Sequence, residues 1–328
     1  MASRPIQAEQ SSSKTLSQAP PTFLDWAIVF LSPLSLLFII SGLGDLESGG
    51  KPGIQIVPLV WFSSLVFAHG IARIARTTRN FLPALLAFIL AVLFTEAILR
   101  AYQVPPGLIP TPSRVWTALQ STQQVLLRDA YTTFVLEALV GFIGGAVAGL
   151  LFALSIVRSR FLERGLLPYA SVLSSVPIVA LAPILVKTIG LEWPSKAVIV
   201  GITVFFPVVV NVVRGLQSVN PLQLDLMRSY GSSGGQVFLL LRAPTALPFL
   251  FNALKIAVPL ALIGAIVGET FGATGSGLGF RIAISVGRNE YDVAWAAIVV
   301  ASIISLLFFG LVSLLERRFL TWHSSMRE

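Results

Sequence analysis

The sequence predicts an all-α protein that crosses a membrane several times, and three observations carry that expectation. Apolar residues make up 55 % of the 328, only 12 % are charged, and the mean hydropathy is +0.83. A soluble domain carries about 25 % charged residues, so this chain could not cover its surface with polar groups in water. The apolar residues are gathered into eight runs, each near the roughly 20 residues a helix needs to cross a bilayer. Arginines cluster in alternate connections between those runs, as in polytopic chains oriented by the positive-inside rule.

Residues 1–22 are polar and rich in Ser, Gln and Pro. They lack the basic start and short apolar core of a cleavable signal and read as a disordered cytoplasmic tail. The apolar runs follow at 24–43, 54–74, 81–100, 131–156, 167–189, 195–217, 246–271 and 292–315. The fifth holds Pro168, Pro177 and Pro183 and is expected to be kinked or broken, which neighbouring helices tolerate by satisfying freed backbone groups. Residues 319–328 form a second tail. With the N-terminus inside and all eight runs spanning, 14 of the 23 Lys and Arg residues fall inside and eight outside, leaving Lys255 within a span. Each internal cytoplasmic loop then carries three arginines. Both termini are therefore expected in the cytoplasm and residues 273–290 outside.

Several chemistries are excluded by composition. Cysteine is absent, which removes disulfides, Cys-ligated zinc and thiol catalysis. Only His69 and His323 could supply imidazole, so no metal site is expected, and no cofactor site. Dispersed basic residues argue against nucleic acid. The run Gly275-Ser276-Gly277-Leu278-Gly279 superficially resembles a nucleotide loop. It follows a span rather than a strand and lacks the lysine and hydroxyl of a phosphate-binding loop, so it reads as a glycine-rich external connection.

One polar passage interrupts the apolar pattern. In DLMRSYGSSGGQVFLLLRAP, residues 225–244, Pro221 suits a helix start and Asp225 is expected in the first turn, where the helix dipole favours an acid. Gly231 breaks the helix, Ser232 or Ser233 can cap a second one, and Pro244 precedes the seventh span. A helix–Gly–helix across the inner face is a rigid, projecting surface. Read from the residues alone, it is equally a well-capped loop.

The spacing of Asp225, Gly231, Leu241 and Pro244 resembles the EAA loop of ABC importer permeases, Glu-Ala-Ala, three residues, Gly, nine residues, then Ile-x-Leu-Pro. Asp stands for Glu, Leu226 and Met227 for the alanines, Leu241 for Ile and Ala243 for Leu. In that family the elbow is a coupling helix seated in a groove of the ATPase subunit. The resemblance therefore implies that residues 222–243, with Asp225, Arg228, Gly231, Ser232, Leu241 and Pro244, contact such a subunit. LIPTPSRV (108–115), SSVPIVALAPILV followed by GLEWPSK, and FFPVVVNVVRGLQSVNP are similar to segments of the nitrate, sulfonate, taurine and thiamine-precursor permeases. The resemblance runs over 81–318 and implies a six-span permease core, with residues 23–80 as an added two-span hairpin. It further implies a bacterial inner-membrane protein that is no enzyme itself. Its expected partners are a cytoplasmic ATP-binding subunit, an extracytoplasmic solute-binding protein, membrane lipid and a second permease, identical or similar.

Charged groups inside spans cost about 2.5 kcal/mol or more at the helix centre and are usually paired or functional. Glu96, Glu137 and Glu269 fall in the outer third of their spans, and Lys255 nearer the middle. They either snorkel or pair locally, or they form an acidic mouth, in which case Glu137, Lys255 and Glu269 line the solute path. An acidic mouth disfavours anions, and the segment 247–273 looks closer to the thiamine-precursor and riboflavin branch. The expected cargo is a pyrimidine, riboflavin or a similar heterocycle, with nitrate, sulfonate or taurine as the alternative. An ion-coupled secondary transporter using Glu137, Glu269 and Lys255 is the alternative from another class. Such proteins often show duplicated halves, and no internal repeat is evident here.

Overall fold

The structure is a computed structural model and describes residues 23–43, 53–77, 81–158, 177–272 and 275–320. Among these residues every regular element is helical: α1 Phe23–Leu43, α2 Val57–Thr77, α3 Leu82–Ala101, α4 Pro112–Ser121, α5 Gln123–Tyr131, α6 Val140–Val157, α7 Ile178–Ile189, α8 Trp193–Gln217, α9 Pro221–Ser229, α10 Gly234–Val237, α11 Ala243–Gly272, α12 Leu278–Gly287 and α13 Tyr291–Phe319. Two π-helical stretches, Thr132–Leu139 and Phe238–Arg242, join α5 to α6 and α10 to α11.

Six helical runs among the described residues are long and apolar enough to cross a membrane: Val57–Ala75, Leu82–Ala101, Gln123–Val157, Trp193–Gln217, Gly234–Gly272 and Tyr291–Phe319. They coincide with six of the eight expected spans. The other two expected spans coincide with α1, whose apolar stretch is Ala27–Gly42, and with α7, both shorter. Of the fifth run only the part from Pro177 onward falls among the described residues. The short apolar helix α12 was not expected as an element.

The chain divides into two compact units, Met1–Trp116 and Thr117–Glu328. In the first, α1, α2 and α3 share a core of Val29, Leu36, Val60, Phe67, Ile71, Ile74 and Ala97. The three- and four-residue spacing of Phe67, Ile71 and Ile74 keeps them on one helix face. Gly70 lets α1 approach, since a Cβ there would sit 2.8 Å from Val29 Cγ2. Glu96 is buried and accepts from Arg100 Nε (2.6 Å), the Ser113 amide (2.8 Å) and Ser113 Oγ (2.7 Å). That carboxylate ties the first turn of α4, in the PTPS segment, back to α3.

The second unit is built around α8. Val200, Val204, Val208 and Val212 recur every four residues and are buried in a core shared with α6 and α11. The backbones of α6 and α8 nearly touch: a Cβ at Gly141 or Gly145 would overlap the carbonyl oxygens of Ala197 or Gly201, and one at Gly149 would lie 2.9 Å from Phe205 O. Small residues at four-residue spacing allow this approach, and in lipid close packing of that kind holds helices together.

Candidate functional site

Two polar features stand at opposite ends of α11, an elbow before its first turn and a cluster of buried side chains around its last. Thirty residues separate them, about 45 Å at 1.5 Å per residue.

The elbow is fixed by backbone chemistry. Asn220 caps α9 by accepting from the Leu222 amide at 2.9 Å, and Pro221 occupies the first helical position, where its missing N–H is no loss. Asp225 is not in the first turn, contrary to the sequence expectation. The helix begins at Pro221 itself, which leaves Asp225 in the second turn, paired with Arg228 at 3.3 Å. Both side chains are exposed, so this pair adds little stability. Gly231 ends the helix at φ +66°. Its amide donates to Arg228 O (2.9 Å) and that of Ser232 to Met227 O (3.0 Å), a left-handed C-terminal cap. Of the two candidate caps for the next helix, Ser233 serves: its Oγ accepts from the Gln236 amide while Gln236 Oε1 accepts from the Ser233 amide, a reciprocal capping box. Ser232 Oγ points instead to Met227 Sδ. Leu241 O accepts from Thr245 Oγ1 at 2.6 Å, and Pro244 lies in the first turn of α11. The elbow leaves Leu222, Leu226, Tyr230, Leu239 and Leu240 exposed, Tyr230 to 80 %. Arg158, Arg228 and Arg242 line an adjoining cavity of about 750 Å³.

At the other end, Glu269 is 1 % and Glu137 2 % exposed. Glu269 Oε1 accepts from Thr133 Oγ1 (2.6 Å) and Oε2 from the Gly279 amide (2.5 Å). Thr133 Oγ1 accepts in turn from the Leu278 amide (2.8 Å). Asp129, one turn before Thr133, accepts from the Gly277 amide (3.0 Å) and from Arg281 Nε (2.8 Å). Three side chains from two helices thus hold successive backbone amides of the loop 275–279. The glycines of that loop have a steric reason. Gly277 sits at φ +122°, and a Cβ there or at Gly279 would overlap the Glu269 carboxyl group. The buried Lys196 lies beside the pair; its stem packs on Gly268, 2.9 Å from where a Cβ would be, and its Nζ donates to the carbonyls of Leu191 and Glu192.

Of the three residues expected to line a path, Glu137 and Glu269 come together and Lys255 stands apart, 14 residues or about 21 Å down α11 from Glu269. Lys255 Nζ pairs with Glu316 Oε2 at 2.7 Å, tying α11 to α13. Asp129, Thr133, Lys196, Arg281 and Glu316 were not singled out from the sequence. The four-residue spacing of Asp129, Thr133 and Glu137 was the available signal, since it sets all three on one helical face.

The family described as "Binding-protein-dependent transport system inner membrane component" matches residues 145–321, more than half of the chain. A probable ABC transporter permease of Haemophilus influenzae (strain ATCC 51907 / DSM 11121 / KW20 / Rd) is 32 % identical over 236 residues, covering 72 % of this chain and 95 % of that protein. The formylaminopyrimidine transport permease ThiX of Halalkalibacterium halodurans is 31 % identical over 218 residues, 66 % of this chain and 86 % of the relative. Relatives named for riboflavin, aliphatic sulfonates, nitrate and taurine also match, at 26 to 30 % identity. Among solved structures, the crystal structure of an amino acid ABC transporter shares the fold, with a TM-score of 0.52 at 20 % identity over 62 % of this chain and 97 % of the other. With a match over this span, and a core of apolar helices to agree with it, the chain belongs to the binding-protein-dependent transport system inner membrane components, as a multi-pass permease of an ABC importer for small solutes.

Proposed function

We propose that the chain is the passive membrane half of an ATP-driven importer, with the elbow 222–243 seated on a separate ATP-hydrolysing subunit. The observation that carries this reading is the rigid elbow. A positive-φ glycine between two capped helices holds Leu222, Leu226, Tyr230, Leu239 and Leu240 outward, where nothing among the described residues covers them. A loop with no partner has no use for such a face. Asp225, Arg228, Gly231, Ser232, Leu241 and Pro244 shape or present it. On this reading the elbow and both termini face the cytoplasm, as the arginine distribution favours. A solute-binding protein delivers cargo at the end carrying the loop 275–279, and a second permease, identical or similar, completes the path. Lys255 and Glu316 serve to join α11 to α13.

For the cargo we favour a pyrimidine or a related heterocycle over an anion such as sulfonate or nitrate. Glu137 and Glu269 are buried and project little field to a passing solute. The support is the likeness of segment 247–273 to the thiamine-precursor branch, joined by the 31 % identity to the formylaminopyrimidine permease.

Co-purification from detergent tests the docking. Leu226→Asp with Tyr230→Asp should release the ATPase subunit while the permease still inserts. Retention of the ATPase together with full solute-stimulated hydrolysis would refute it. Uptake of a labelled aminopyrimidine, competed with taurine or an alkyl sulfonate, tests the cargo; competition by the anion alone would reverse the preference.

A further inference from the structure

Beneath the loop 275–279 lies a cavity of about 100 Å³, lined by Thr132, Leu136, Glu137, Glu192, Trp193, Lys196 and Ser276. At about 30 Å³ per water it has room for roughly three. Glu137 Oε2 is buried and has no hydrogen-bond partner among the described residues.

The hydrogen-bond directions around Glu269 assign the protons. The Gly279 N–H can only donate, so Glu269 Oε2 accepts. Thr133 Oγ1 accepts from the Leu278 amide, and of the two acceptors within reach of its own hydrogen, the Asp129 carbonyl at 3.1 Å and Glu269 Oε1 at 2.6 Å, the nearer is Glu269. Glu269 is an acceptor at both oxygens, as a carboxylate is. The carboxyl group of Glu137 faces it within hydrogen-bonding range, and two carboxyl groups in that position need one hydrogen between them. A bare Oε2 agrees, because an unpartnered carbonyl oxygen of a neutral acid is far cheaper to bury than an unpartnered carboxylate oxygen. The charge balance closes as well. For the two carboxyl groups there is one cation at the cavity among the described residues, Lys196 of α8; Asp129, on the same helical run as Glu137, is answered by Arg281 of α12. The other charged group facing the cavity is Glu192, which is exposed.

We propose that Glu137 is a proton-binding site, exchanging with the solvent through the cavity under Ser276, and that its proton latches the loop 275–279 onto the helix ends. Loss of the proton leaves two carboxylates facing each other, with Lys196 the one cation among the described residues that line the cavity. Glu269 then gives up its place against Gly277 and Gly279, and the loop is freed. The inference is independent of what the permease carries and of the elbow.

The absence of cysteine makes the test direct. Ser276→Cys gives the full-length protein a single thiol in the loop, read in lipid vesicles as its labelling rate by a maleimide across pH. Arg288→Cys, at an exposed position at the end of α12, corrects for ionisation of the thiol itself. The corrected rate should rise by about tenfold per pH unit through the transition, the slope for one proton. In Glu137→Gln, whose amide N–H still donates to Glu269, it should stay flat. A flat corrected rate in the protein with Glu137 intact would overturn the proposal, and that arm needs no substitution in the cluster. An equal pH dependence in Glu137→Gln would overturn it too. So would a rate that follows sodium concentration at fixed pH, because the site would then hold an alkali cation.

Discussion

Gly231 offers the sharpest test of the elbow, because the structure isolates a single physical cause. Its φ is +66°, and a Cβ added there would meet nothing within 4 Å. Substitution therefore costs backbone strain alone, with no clash to complicate it. An L-residue in the left-handed helical region costs roughly 1–2 kcal/mol. Asn, whose short polar side chain tolerates that region, costs less, and a β-branched residue more. A penalty of one to two kcal/mol lowers the ratio of formed to unformed turn by about 5- to 30-fold. It would also give up the Gly231-to-Arg228 and Ser232-to-Met227 hydrogen bonds that stop α9. Gly231→Asn, Gly231→Ala and Gly231→Val should accordingly lose solute-stimulated ATP hydrolysis in that order, with Val retaining a tenth or less. The melting temperature of the permease should hold across the series, since no core residue is touched. The assay is ATP hydrolysis by the reconstituted complex in lipid, with co-purification of the ATPase in parallel. Val equal to Gly, or Ala worse than Val, would refute the strain argument, because no ordering by φ tolerance would remain.

The helical runs were legible because their cause is one-dimensional: a stretch of apolar residues near bilayer length has few alternatives. The elbow was legible for a similar reason. Asn220, Pro221, Gly231 and Ser233 act on backbone atoms within four residues of themselves. The misplacement of Asp225 shows the limit of such reading: the helix starts at Pro221 as expected, and Asp225, its fifth residue, already lies beyond the first turn. The buried cluster was not legible as a cluster. Glu269 meets Thr133 across 136 positions of sequence and Gly277 meets Asp129 across 148, and no local pattern encodes those pairings. The glycine run 275–279 read as a plain connection because what it fits against, the Glu269 carboxyl group, comes from a different helix. Lys255 was visible as a charge in a span, but its partner Glu316 lies 61 positions away beside Arg317 and Arg318, and no local pattern links the two.

Four further outcomes follow from the packing. Gly145→Ala should destabilise the second unit by about 1–3 kcal/mol, because the added methyl overlaps the backbone of Gly201, which cannot move aside. Gly144→Ala, with nothing within 4 Å, should leave the unfolding midpoint unchanged, and thermal unfolding in detergent compares the two. Ser233→Ala removes half of the capping box and should weaken the helix start by about 0.5–2 kcal/mol, read as faster amide exchange over residues 234–237. Ser113→Ala removes one of the donors to buried Glu96 and should lower stability by about 1–3 kcal/mol, with Ser113→Thr restoring it. The last outcome concerns Lys255 and Glu316, whose paired ends are mostly buried. Lys255→Met alone leaves a carboxylate without its counter-ion and should cost about 3–5 kcal/mol, whereas Lys255→Met with Glu316→Leu removes both charges and should recover most of that loss. If the two helices are joined by this pair, the single variant will unfold earlier than the double in a thermal scan and the coupling energy will be large. Equal losses in the two would show that Glu316 finds water or lipid headgroups when Lys255 is gone. The pair would then be two charges that merely happen to meet, and α11 and α13 would be held by apolar contact such as the Phe251–Phe319 stack.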